Sequence, residues 1–203
     1  MDEDVRRVAE RLGSREKILV LTGAGVSVPS GIPDFRSPGG LWTRINPAIL
    51  SAQQLRAGPA AYGEFWAAML AIDTVCGTAQ PNSIHHALAS LEAQGSLLGV
   101  VTQNIDGLHQ VAGSRNVVEL HGNQITSYCL ECGREYPTRS VLDWVKNGEA
   151  TPQCRHCAGL IRPRVVLFGD PMPVSEWQKA VAWAQTCDAC MVLGSSLEVY
   201  PAA

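Results

Sequence analysis

Four cysteines constrain this chain more than any other feature. They stand as two pairs, Cys129-Leu-Glu-Cys132 and Cys154-Arg-His-Cys157, with residues 133 to 153 between them. Each pair offers two thiolates from one tight turn, and two such turns close a tetrahedral shell with no position left open. The expected occupant is one structural Zn2+ per chain, held by Cys129, Cys132, Cys154 and Cys157. His156 lies between better placed thiols and is not expected to bind it. Residues 123 to 163 carry little continuous apolar sequence, so they should fold around the metal in place of a hydrophobic core. Such sites contribute on the order of 10 kcal/mol in small zinc peptides. The total of seven cysteines is odd, which rules out complete internal pairing, and in the reducing, cytoplasmic location expected of this chain closely spaced pairs point to metal rather than disulfides. A third pair, Cys187-Asp-Ala-Cys190, falls where a helix should meet a strand and is expected to pack as small apolar residues.

Around this segment, short apolar runs alternate with helical patterns. Ile18 to Leu21, Leu97 to Thr102, Val117 to Leu120, Val165 to Phe168 and Ala189 to Leu193 read as strands. Val5, Val8, Ala9 and Leu12 recur at helical spacing, as do Ile84, Ala87, Leu88 and Leu91 behind a cap at Asn82 or Ser83. Glu176 to Gln185 reads as a helix opened by Ser175. Runs without alternation suit strands buried on both faces, so the fold class is α/β: a Rossmann-like, doubly wound parallel sheet. Residues 1–37, 82–122 and 164–203 are assigned to the sheet domain and 123–163 to a small zinc-ribbon module. Residues 38–81, where the pattern loosens, form a helical and loop insertion.

Composition narrows the function. The chain has 46% hydrophobic and 17% charged residues, as ordinary globular proteins do. A net charge of −3 gives no footprint for direct nucleic acid binding. No apolar run reaches the roughly 18 residues that a membrane span needs. The opening Met1-Asp2-Glu3-Asp4 is acidic where a secretory signal is basic.

Gly23-Ala24-Gly25-Val26-Ser27 follows the first strand, where glycines would let backbone amides approach a pyrophosphate. The dinucleotide fingerprint of dehydrogenases is incomplete, with Val28 at its small-residue position and Leu41-Trp42-Thr43 in place of the acid. More specific runs follow in order: Ser30-Gly31-Ile32-Pro33-Asp34-Phe35-Arg36, Thr102-Gln103-Asn104-Ile105-Asp106, Leu120-His121-Gly122, both cysteine pairs, Arg162 to Gly169 and Gly194-Ser195-Ser196-Leu197. In these the chain closely resembles the sirtuins, NAD-dependent protein-lysine deacylases.

The resemblance implies that Gly23, Ala24, Gly25, Ser195 and Ser196 hold the phosphates and ribose of NAD. Gln103 would contact the ribose, Asn104 and Asp106 would line the nicotinamide pocket, and Phe35 would cover it beside Arg36. Ser27, Asp34, Trp42, Ile105 and Gly194 complete the implied cofactor-binding set. His121 is the expected general base, since a neutral imidazole at a strand's C-terminal end can take a proton from a ribose hydroxyl near neutral pH. Acyl-lysine proteins or peptides would add as a strand against Val165, Val166, Leu167, Phe168 and Gly169. The acyl group would pass to ADP-ribose with release of nicotinamide. His85, His86 and His109 read as packing or surface residues.

Some positions depart from the commonest family pattern: Leu167 for tryptophan, Asp170 for glutamate and Ser195 for threonine. Trp66 and Met69 stand where removers of acidic acyl groups carry tyrosine and arginine, so a deacetylase, or a remover of other neutral acyl groups, is expected. Relatives continue beyond residue 203, so truncation is expected, with an open sheet edge and an incomplete adenosine pocket. The competing readings are a catalytically impaired zinc-containing binding module and an NAD glycohydrolase or ADP-ribosyltransferase.

Overall fold

The computed structural model describes residues 3–202; Met1 and Asp2 of the acidic opening, and Ala203, lie outside the described residues. In chain order the elements are α1 (Glu3–Leu12), β1 (Ile18–Thr22), α2 (Ala52–Arg56), α3 (Pro59–Cys76), α4 (Ser83–Ala93), β2 (Leu97–Thr102), α5 (Leu108–Val111) and β3 (Val117–Glu119). They continue as β4 (Gly122–Cys129), β5 (Glu135–Pro137), α6 (Thr138–Lys146), β6 (Ile161–Val165), α7 (Val174–Thr186) and β7 (Ala189–Leu193).

One sheet is parallel, in the order β3-β2-β1-β7. On one face Ile18, Val20 and Val100 pack with Leu88 of α4; on the other, Leu19, Val101 and Val118 pack with Ala180 of α7. Burial on both faces explains why these strands read as unbroken apolar runs. The strand order reverses between β1 and β7, and ligands of such sheets gather at the C-terminal edge of that switch point. The second sheet, β5-β4-β6, is antiparallel and carries the cysteine pairs at its end. Among the described residues no helix is long and apolar enough to cross a membrane.

Several elements differ from the sequence expectation. The cysteine segment does have an apolar core: Val141, Leu142 and Ile161 are buried in one cluster with Tyr62, Phe65, Trp66 and Met69 of α3. The insertion thus centres on an 18-residue helix, α3, whose Tyr62, Phe65, Trp66 and Met69 pack on the metal module. The Tyr62 hydroxyl joins the two, accepting from the Ile161 N–H at 3.0 Å and lying 2.6 Å from the Pro152 carbonyl. Val166 to Phe168 is no strand. Its amides go to two different partners, Val166 to the His121 carbonyl and Phe168 to the Leu50 carbonyl, so no ladder forms. Helix α7 starts at Val174 after Pro173, and Ser175 is inside it. Cys190 is exposed on the edge strand β7, while Cys187 packs partly against the sheet core.

His109 is 1% exposed, and burial, then the neighbouring His85, push its pKa from 6.5 to about 4 against the pull of Asp106. Between those values the unfolded chain binds the extra proton. The contribution to stability is therefore whole above pH 6.5 and lost as pH falls toward 4, a difference of about 3 kcal/mol. Urea unfolding followed from pH 7 to 4 should show this loss, and His109→Gln should make the slope shallower.

Candidate active site

The loops after β1, β2 and β7 and the turn between β3 and β4 converge at one edge of the parallel sheet. His121 occupies that turn. The next residue, Gly122, has φ +66, and a Cβ there would fall 1.8 Å from the Arg164 carbonyl oxygen, so only glycine lets β4 leave directly beside β6. His121 Nδ1 is 2.9 Å from the Gln103 carbonyl oxygen. A carbonyl only accepts, so Nδ1 bears the hydrogen and Nε2 keeps its lone pair. Burial lowers the pKa of the half-buried ring, and the Gln103 carbonyl opposes this. The ring is a neutral base at pH 7 with Nε2 free of any partner among the described residues.

Gln103 spans the site. Its side-chain oxygen accepts from Ser195 Oγ at 3.1 Å, while its Nε2 is buried without a partner. A buried donor of this kind is open to an acceptor on a bound molecule. Asn104 donates to the Gly23 carbonyl and to Ser27 Oγ, both at 3.1 Å, and Ser27 Oγ donates to Asp106 at 2.7 Å. Ser27, Asn104 and Asp106 therefore form one unit beneath the loop after β1. The Ile105 carbonyl accepts from the Gln124 N–H.

The glycines of that loop also have a structural task. Gly23 and Gly25 give their N–H groups to Leu193 and Gly194. A Cβ on Gly25 would lie 2.7 Å from Gly194 Cα. They bring the loops after β1 and β7 into contact. The amides of Ala24, Ser195 and Ser196 make no hydrogen bond among the described residues, which leaves them as donors available to a phosphate.

Phe35, Trp42 and Phe168 form a tilted aromatic run, with centroids 5.0 Å and 6.1 Å apart. Asp34 accepts from the side chain and amide of Ser37, which hold its carboxyl below the usual range, and it thereby shapes the loop. Arg36 pairs at 3.4 Å with Glu198, a partner no sequence motif marks. Beyond β6, Val165 and Val166 are half-buried and Phe168 and Gly169 exposed, but the Leu167 side chain points into the core at 4% exposure. Leu167 therefore offers a substrate no side chain, and its own N–H and carbonyl are both bonded to Asp170. Arg162, paired with Asp170, fixes this bend: Asp170 also accepts from the Leu167 N–H at 2.9 Å, and these bonds outweigh burial to keep its pKa low.

The Sγ atoms of Cys129, Cys132, Cys154 and Cys157 all lie within 4.8 Å of one another. Tetrahedral Zn–S bonds of about 2.3 Å imply thiolates about 3.8 Å apart, so the cluster fits zinc. His156 is exposed and outside it. Tyr136 Oη is 3.1 Å from Cys154 Sγ, and its hydrogen bond is the largest influence lowering that thiol, to about 5. Tyr136→Phe is expected to weaken zinc retention about 10-fold or more without unfolding the chain, as measured by competition with a chromogenic chelator.

A parallel sheet with a donor-lined switch point, joined to a four-thiolate module, defines a nucleotide-binding α/β protein with a structural metal. The family model described as "Sir2 family" matches residues 23–201. A protein of Caldivirga maquilingensis named NAD-dependent protein deacetylase is 47% identical over 201 residues, 99% of this chain and 76% of the relative. A protein of Archaeoglobus fulgidus named NAD-dependent protein deacylase 2 is 44% identical over 205 residues, covering 100% of this chain and 79% of its own. A solved Sir2 enzyme bound to a p53 peptide and NAD+ superposes with a TM-score of 0.87 at 37% identity, covering 100% of this chain and 79% of that one. The chain belongs to the Sir2 family.

Proposed function

We propose that the protein removes acyl groups, chiefly acetyl, from lysine side chains in proteins or peptides, using NAD as co-substrate and one structural zinc. Bound NAD would supply a glycosidic bond whose cleavage releases nicotinamide and leaves ADP-ribose to receive the acyl group. The observation that carries this reading is His121: a neutral ring locked by the Gln103 carbonyl, with its basic Nε2 unengaged among the described residues. With NAD bound, His121 would take a proton from a ribose hydroxyl, and Gln103 Nε2 would donate to the ribose. The Ala24, Ser195 and Ser196 amides hold phosphate.

The Ser27–Asn104–Asp106 unit backs the nicotinamide side, and Phe35, Trp42 and Phe168 exclude water from it. The bend at Val165 to Gly169 receives the peptide through main-chain groups it leaves unpaired among the described residues, such as the Val166 carbonyl. A neutral acyl group suits the site, since Trp66 and Met69 are buried apolar residues of α3 and supply no cation. Residues 1–37, 82–122 and 164–203 then form the NAD-binding domain, with 38–81 as insertion and 123–163 as metal module. The need for thiolates in that module accords with a reducing, cytoplasmic compartment. The charge of −3 accords with no direct nucleic acid partner.

The test is incubation with NAD and an acetyl-lysine peptide, with nicotinamide and deacetylated peptide quantified together. Equal amounts support the reading. Nicotinamide released regardless of peptide would instead mark a glycohydrolase or ADP-ribosyltransferase.

A further inference from the structure

Two buried histidines have no part in the chemistry above. His85 of α4 and His109 of α5 are 0% and 1% exposed, with ring centroids 4.8 Å apart. One hydrogen bond of known direction fixes each ring. The Asn82 backbone N–H donates to His85 Nδ1 at 3.3 Å, so the His85 hydrogen is on Nε2. Thr22 gives its hydroxyl hydrogen to Thr102 Oγ1 at 2.8 Å, so Thr22 Oγ1 accepts from His109 Nε2 at 3.0 Å. His109 Nδ1 then carries the lone pair. What remains is one donor, His85 Nε2, and one acceptor, His109 Nδ1, both buried and both without a partner among the described residues. Two orphans in touching rings are complementary.

We propose that His85 and His109 are a positioning pair, whose free donor and acceptor join, directly or through one buried water, into a single hydrogen-bonded chain beneath the active site. At one end Thr102 Oγ1 accepts from the Asn104 N–H at 3.0 Å, and the Asn104 side chain holds Gly23 and Ser27. At the other end Asn82 Nδ2 donates to the Val26 carbonyl and Ser30 Oγ, both at 2.8 Å. The loops after β1 and β2 are thereby tied to the same two rings. Burial keeps both rings neutral, as the chain requires. The link to turnover rests on the deacylase reading; the chain itself does not.

Nitrogen-15 NMR at pH 7 is expected to show both rings as neutral Nε2–H tautomers, and the Asn104 side-chain amide protected from exchange. An Nδ1–H tautomer or an imidazolium at either ring overturns the chain. His109→Leu should speed Asn104 amide exchange and lower kcat about 10- to 100-fold with KM for the acetyl-lysine peptide unchanged. His109→Gln, which keeps a donor and an acceptor, should recover part of both. If His109→Leu fails to fold, His85→Leu and His85→Gln give the same comparison. Unchanged exchange and kcat in the leucine variants overturn the positioning role. Absence of turnover in the unaltered protein would sink the deacylase reading while leaving the tautomers and the exchange to decide the chain.

Discussion

A chain carrying His121→Ala is expected to lose lysine deacylation by about 10²- to 10⁴-fold, the range set by loss of a positioned general base. Its zinc content and melting temperature should stay near those of the unaltered protein. The ring is half-buried and neutral, and its one hydrogen bond runs to a backbone carbonyl, so truncation leaves no buried charge and no collapsed core. The pH profile separates catalysis from folding. Burial sets the pKa below 6.5, so the neutral ring predominates at pH 7, and activity should fall only as the medium acidifies through that lowered value. The residual activity of His121→Ala should lack that acid limb. Turnover within about tenfold of the unaltered protein would remove His121 from the mechanism.

The sheet was legible because burial on both faces forces unbroken apolar runs such as Ile18 to Leu21, which admit few other readings. The cysteine pairs and the order of the motifs were legible because their chemistry tolerates few substitutes. The insertion was not. Its helix places Tyr62, Phe65, Trp66, Met69, Ile72 and Cys76 at helical spacing behind Pro59, but Ala and Gly between them blur the polar face on which amphipathic patterns depend. The apolar core of the metal module was hidden for a related reason, since its partners come from that distant helix. Val166 to Phe168 looked like a strand from composition alone; only the competing bonds to His121 and Leu50 show why it is none. Glycines 23 and 25 illustrate a further limit. Their spacing signals close backbone approach, and only the structure shows that Gly194 is one of the backbones that approach.

Cys157→Ser is expected to release zinc and to loosen more than the module that holds it. Cys157 is exposed, so the serine disturbs little packing and the loss is chiefly that of metal binding. That binding is worth on the order of 10 kcal/mol in small zinc peptides, comparable with the roughly 5–15 kcal/mol that stabilises a whole domain. An isolated zinc peptide would simply unfold. Here β4, β6 and α6 share a core with α3, so the effect should spread along Tyr62, Phe65 and Trp66 into α3, and through Leu167 into the bend that receives substrate. The parallel sheet has its own cores on both faces and should hold. Hydrogen exchange should therefore show residues 59–76, 122–129 and 161–168 losing protection in Cys157→Ser while β1 and β2 keep theirs. Removing zinc from the unaltered protein with a chelator should reproduce the same pattern and raise KM for the acyl-lysine peptide. Full protection of α3 in protein stripped of zinc would mean that the shared core stands without the metal.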